Sequence, residues 1–141
     1  MSVTFLALTQ ETFQRVPLPL FGDRIPAGFP SPAQDYVEAK LDLNELCIKH
    51  PAASYFVRVD GDSMAPLLLP NDILVVDRSL TPSHGDIVIA SINAELTVKT
   101  LEVRPRPRLV PQNPRYAPIT PRDGEELEVF GVVTNVVRTL R

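Results

Sequence analysis

The chain reads as mainly β, with a long extended N-terminal arm and one or two short helices, and three features of its sequence predict this. From Ser54 onward, short runs rich in Val, Ile and Leu are bounded by Asp, Asn, Gly and Pro, the pattern of strands joined by turns. Ahead of that point the chain is crowded with proline. Pro17, Pro19, Pro26, Pro30 and Pro32 lack a backbone donor and hold φ fixed, so residues 14–31 can form neither regular helix nor a central strand. Between these regions, Ser31 and Asp42 each precede a short amphipathic stretch, as helix N-caps do.

The elements follow in order. Residues 1–31 are an extended arm, and residues 32–141 a compact β-rich domain. Ser31-Pro32 opens a short helix over 32–40, with Tyr36, Val37 and the following Leu41 on its apolar side. Asp42 caps a second helix through Leu43, Leu46 and Cys47, which ends near Pro51. Strands are expected at 54–60, 72–77, 86–92, 95–103, 107–110 and 127–138. Val129, Val132, Val133, Val136 and Val137 favour strand in the last of these through β-branching.

Composition narrows the function. A chain of 141 residues suits one compact domain plus a tail, and 44% hydrophobic residues suffice for a core. The net charge of −3 gives no support to tight binding of a nucleic-acid backbone, so direct sequence-specific DNA binding is not expected. Cys47 is the single cysteine, which excludes an intrachain disulfide and a Cys-rich metal site, and fits a reducing cytoplasm. It reads as a small buried apolar residue. His50 and His84 are too far apart to form a metal motif, and no metal or cofactor is expected. No signal-peptide pattern and no run of ~18 apolar residues is seen, so no membrane association is expected.

The candidate chemistry rests on Ser63, Lys99 and a small-residue bond, Ala27-Gly28. Ser63 lies in Val59-Asp60-Gly61-Asp62-Ser63-Met64, where a strand-like run breaks into a turn. Gly61 permits a sharp turn that exposes the hydroxyl and frees the amides of Asp62 and Ser63 for a developing oxyanion. An ordinary Asp/Ser turn fits the same residues. Lys99 alternates with Thr97, Leu101 and Val103 on one strand face. An edge lysine pointing to water is the simple explanation. On a buried face, desolvation would lower its pKa and make it a base for a serine proton. His84 offers a rival triad with Ser63 and Asp72 or Asp86, although its surroundings read as a loop. His50 at a helix end is explained by last-turn carbonyls. Pro26 and Pro30 favour an extended conformation around Ala27-Gly28, the form a protease cleft binds; a plain linker would look the same.

Several segments, in order, resemble the self-cleaving serine–lysine peptidase family that contains LexA-type repressors and UmuD (S24 type). They are Gly28-Phe29-Pro30-Ser31-Pro32-Ala33, Tyr55-Phe56-Val57 through Gly61-Asp62-Ser63-Met64, Ser83-His84-Gly85-Asp86 with the following strand, Thr97-Val98-Lys99, and Val129-Phe130-Gly131-Val132-Val133. The similarity runs from about Pro19 to Arg141. It implies Ser63 as nucleophile, Lys99 as general base, and Ala27–Gly28 as the bond cut. It also implies a LexA-type catalytic and dimerisation domain of curved β-sheets, and a homodimer. In that family cleavage is stimulated by RecA on single-stranded DNA after damage. The shortened product joins a UmuC-type Y-family polymerase for translesion synthesis.

There are departures. The mutagenesis branch carries Cys-Gly where this chain has Ala27-Gly28, as in the repressors; alanine is equally small. The loop Ala65-Pro66-Leu67-Leu68-Leu69-Pro70-Asn71 differs in length and is more apolar, and its leucines read as core or dimer contacts. A repressor is not expected, because the 27 residues before the bond are too few and too proline-broken for a helix-turn-helix. Two other functions remain open on the residues alone: a non-catalytic polymerase-binding subunit, and a His-dependent hydrolase.

Overall fold

The computed structural model describes residues 14–22 and 37–141. The chain divides into two compact units, which among the described residues are 14–22 with 37–49, and 50–141.

The first unit is a two-stranded antiparallel ladder and a helical turn. Strand β1 (Leu18–Phe21) pairs with β2 (Val37–Leu41), and α1 (Leu43–Cys47) follows. Asp42 caps α1 as expected, its side chain accepting the Asn44 amide at 2.8 Å. The helix expected over 32–40 is corrected here: residues 37–40 are strand, and 32–36 lie outside the described residues. Val37-Glu38-Ala39-Lys40-Leu41 alternates apolar and charged residues, and pairing with β1 selects that period of two over the helical one. Cys47 is half-buried rather than buried.

The second unit opens with a 3-10 turn (Pro51–Ala53), then β3 (Ser54–Arg58), β4 (Ile73–Asp77), β5 (Ile87–Ile92), β6 (Glu95–Glu102), β7 (Arg108–Val110) and β8 (Leu127–Val137). All six expected strands are present. They form one antiparallel sheet in the order β3-β4-β8-β5-β6-β7. The last strand in sequence thus lies at the middle. Both of its ladders are interrupted by irregularities, and Phe130 is the residue skipped between Val129 and Gly131 opposite β5. A side chain at Gly131 would place Cβ 2.5 Å from Val76 Cγ1, so this close crossing needs glycine.

Two buried apolar clusters form on the sheet. Tyr55, Val57, Leu74, Val76, Ile89 and Val98 pack with Met64 and Leu68 in one cluster. Val88, Ala90, Leu101, Leu109 and Val132 form the other. Residues 87–90 of β5 serve the two clusters in alternation, which explains their unbroken apolar run. Each fully buried Val, Leu or Ile contributes about 1.5–3 kcal/mol.

Polar contacts pin the sheet margins. Arg138 forks onto the buried Asp72 carboxylate at 2.6 and 2.5 Å, and the Leu69 amide donates to Asp72 at 2.8 Å. His50 does not serve helix carbonyls as expected. Its Nδ1 lies 2.6 Å from the buried Asp77 carboxylate, which also accepts the Ser79 amide and hydroxyl.

Candidate active site

Past β3, Val59 extends the pairing with the start of β4: its amide donates to the Asp72 carbonyl and its carbonyl accepts from Asn71. The chain then breaks at Gly61, whose φ of +82° lies in the left-handed region open to glycine. Nothing stands within 4 Å of where its Cβ would be, so the glycine serves the backbone conformation and not a close contact. Ser63 follows in a short turn closed by the Ala65 amide on the Asp62 carbonyl at 3.1 Å and the Leu68 amide on the Met64 carbonyl at 2.9 Å. Met64 and Leu68 are buried in the first core cluster, and so anchor the turn from below.

Lys99 sits on β6 opposite Val88, which is fully buried. Its Nζ lies 3.0 Å from Ser63 Oγ and 2.6 Å from Thr97 Oγ1. Only 7% of the residue is exposed, which rules out the solvent-facing edge lysine. Among the described residues no carboxylate pairs with it. Burial therefore acts unopposed and holds its pKa below the ordinary 10.5, towards a neutral amine with a lone pair.

The turn carrying Ser63 is clamped from beyond β7 by Asn113, a buried residue that the sequence did not single out. The Asn113 amide donates to the Ser63 carbonyl and its Nδ2 to the Asp62 carbonyl, both at 3.0 Å. Its own Oδ1 accepts the Arg115 amide at 3.0 Å. Tyr116 donates its hydroxyl to the Asp62 carboxylate, whose acceptance and negative charge push the phenol pKa up. With both carbonyls engaged, the amides of Asp62 and Ser63 have no acceptor among the described residues. A cleft of about 90 Å³ opens beside them, with Gly61, Ser63, Met64, Leu96, Thr97 and Val98 on its walls.

The rival triad is not assembled. His84 uses Nδ1 to accept the Val103 amide at 3.0 Å; Asp72 is taken by Arg138 and Asp86 by the Ser83 amide. The loop leucines divide: Leu68 is buried, whereas Leu67 and Leu69 are partly exposed. Ala27 and Gly28 lie outside the described residues. Among the described residues no helix is long and apolar enough to cross a membrane.

Comparison with known proteins is consistent across most of the chain. A family model described as Peptidase S24-like matches residues 19–134. Protein SamA of Salmonella typhimurium is 52% identical over 124 residues, covering 87% of this chain and 86% of that protein. Protein MucA of Escherichia coli is 53% identical over 122 residues, 84% of this chain and 82% of its own length. The LexA repressor of Xylella fastidiosa is 37% identical over 140 residues, 98% of this chain but 64% of the repressor.

Proposed function

For this chain, which belongs to the Peptidase S24-like family, we propose self-cleavage by a Ser63–Lys99 pair at the Ala27–Gly28 bond, in the SOS response to DNA damage. The observation that supports this reading is the 3.0 Å approach of Lys99 Nζ to Ser63 Oγ, made by a buried lysine with no counter-charge among the described residues. A charged ammonium could only donate to that hydroxyl. A neutral amine offers a lone pair and can take its proton.

The steps follow from those positions. Neutral Lys99 accepts the Ser63 proton as Oγ attacks the Ala27 carbonyl carbon. The amides of Asp62 and Ser63 donate to the oxyanion that forms. Lys99 then passes its proton to the departing Gly28 nitrogen, leaving residues 1–27 as an ester on Ser63. Water, deprotonated by the same amine, hydrolyses the ester. Thr97 positions the amine by accepting one N–H, which directs the remaining lone pair at Oγ.

In this reading residues 1–31 are the arm that delivers the bond, and 32–141 the peptidase and dimerisation domain of a cytoplasmic homodimer. RecA filaments on single-stranded DNA raise the population of the competent arm pose, so the rate rises with that fraction. The shortened chain serves a UmuC-type polymerase in translesion synthesis. These partners rest on the family resemblance.

The test is intact mass against time for purified protein at neutral and alkaline pH, beside Ser63→Ala and Lys99→Ala. Loss of residues 1–27 in the wild type alone, faster at high pH, is expected. A wild-type chain that stays whole at every pH, and also with RecA, ATP and single-stranded DNA, would overturn the peptidase reading and leave a binding subunit.

A further inference from the structure

Strands β1 and β2 lie on opposite sides of the Ala27-Gly28 bond in sequence, yet they are joined to each other in one ladder. Leu18 pairs with Leu41, Pro19 with Lys40 and Leu20 with Ala39. A proline fits a ladder only where its missing N–H would face outward. Pro17 and Pro19 therefore leave Val16, Leu18 and Leu20 to present their amides to the β2 side, and give β1 an outer edge poor in donors.

The pairing continues past the ladder. Val16 donates its amide to Asp42 Oδ2 at 2.8 Å, while Oδ1 of the same carboxylate caps α1 through Asn44. Asp42 is 5% exposed and its pKa lies below the ordinary value. The Val16 amide is the main cause; burial opposes it, and the Asn44 and Glu45 amides and the Arg15 charge assist. Arg15 reaches Glu45 at 2.6 Å. One segment, 15–21, is thus gripped by backbone, by a carboxylate that also starts a helix, and by an exposed ion pair.

We propose that β2 with Asp42 is a strand-binding site whose resident occupant is the chain's own segment 15–21. Cutting the chain at Ala27–Gly28 does not vacate it. Departure of the N-terminal fragment opens it to an extended peptide that carries a basic residue followed by apolar residues at alternate positions. This rests on the cleavage reading for when the site opens, but not for its existence. Before the cut the occupant is tethered, at an effective concentration on the order of millimolar. Afterwards the same contacts hold it as a separate molecule. A four-residue pairing in a two-stranded ladder is marginal alone, and the exposed ion pair adds little. Release therefore follows dilution, and what remains is β2 without a ladder partner, its backbone groups open to another extended strand.

The test uses the full chain with Ser63→Ala, in which residues 24–29 are replaced by the recognition site of a foreign sequence-specific protease and a fluorophore is attached at the N-terminus. After that protease has cut, fluorescence anisotropy is followed on dilution. Retention at high concentration is expected, with release on dilution. The release midpoint should move up at least about tenfold in Ala39→Pro, which removes a ladder amide, and in Asp42→Ala, which removes the Val16 acceptor. A synthetic peptide of residues 14–22 should displace the fragment, and the same peptide with Arg15→Glu should do so several-fold less well. Complete loss of the fragment at every concentration, or retention indifferent to both substitutions, would overturn the proposal. Because a foreign protease makes the cut, failure here is distinct from failure of self-cleavage, which the wild-type mass reports.

Discussion

Lys99 Nζ stands 3.0 Å from Ser63 Oγ on a residue only 7% exposed, with the hydroxyl of Thr97 as its other polar neighbour. The environment that makes a cation costly is also the one that presents a lone pair to the serine.

Cleavage should therefore rise with pH through the lowered pKa of Lys99 and level off above it. Lys99→Ala and Ser63→Ala should each slow it by at least about 10²–10⁴-fold, the range of a positioned base. Stability carries the matching sign. The folded form holds fewer protons than the unfolded between the lowered pKa and 10.5, so stability should rise with pH across that window. Lys99→Met should remove this rise and raise the melting temperature at neutral pH, since an apolar side chain replaces a desolvated cation. Thermal melts across pH, on both proteins, check this.

Thr97 accepts from Lys99 at 2.6 Å, a bond that an ammonium makes more strongly than an amine. Thr97→Val should shift the pH–rate midpoint down while lowering the plateau about 10- to 100-fold, the cost of a misplaced reacting group. Thr97→Ser should restore both. A plain packing defect would lower the plateau without moving the midpoint.

Asn113 holds the Asp62 and Ser63 carbonyls from a distant part of the chain. Asn113→Ala removes the side-chain bonds and keeps the backbone one. It should cost about 1–3 kcal/mol in stability, as loss of buried hydrogen bonds does. Cleavage should fall further than that loss of folded protein explains, because the amides beside Ser63 lose their fixed aim. Urea titration beside cleavage rate at full folding separates the two.

The Arg138 fork on Asp72 leads the forces that hold that carboxyl below its ordinary 3.8; burial opposes it and the Leu69 amide assists. The stability it contributes is complete above that value and is lost as pH falls through the depressed native pKa. Arg138→Ala should lower the melting temperature at neutral pH and flatten its decline in acid, read by melts at pH 7 and below 4.

The strands of the second unit were legible because alternation of apolar residues is a local signal, and turns at Gly61 and Gly85 carry the residue that positive φ favours. Ser63 and Lys99 were legible as candidates from their flanking residues, but their pairing was decided by the resemblance, since nothing in 36 residues of separation states a distance. Asn113 was missed because Asn before Pro reads as a turn; its bonds to residues 50 and more positions away leave no local trace. The stretch 37–40 was misread because its apolar spacing fits a helix when β1, far back in the chain, is left out. His50 found Asp77 for the same reason: the partner is distant in sequence.

The place of β8 in the sheet has a consequence for timing. The half that leads into Ser63, β3 and β4, and the half that carries Lys99, β5 to β7, are neighbours in the sheet only through β8. A ribosome releases Ala27-Gly28 before either half, and Leu127–Val137 after both. Until that final strand threads between its neighbours, the growing chain has a serine and a lysine but no site that joins them. On the self-cleavage reading, cutting therefore waits for β8 to join the two halves, a delay that follows from the strand order alone.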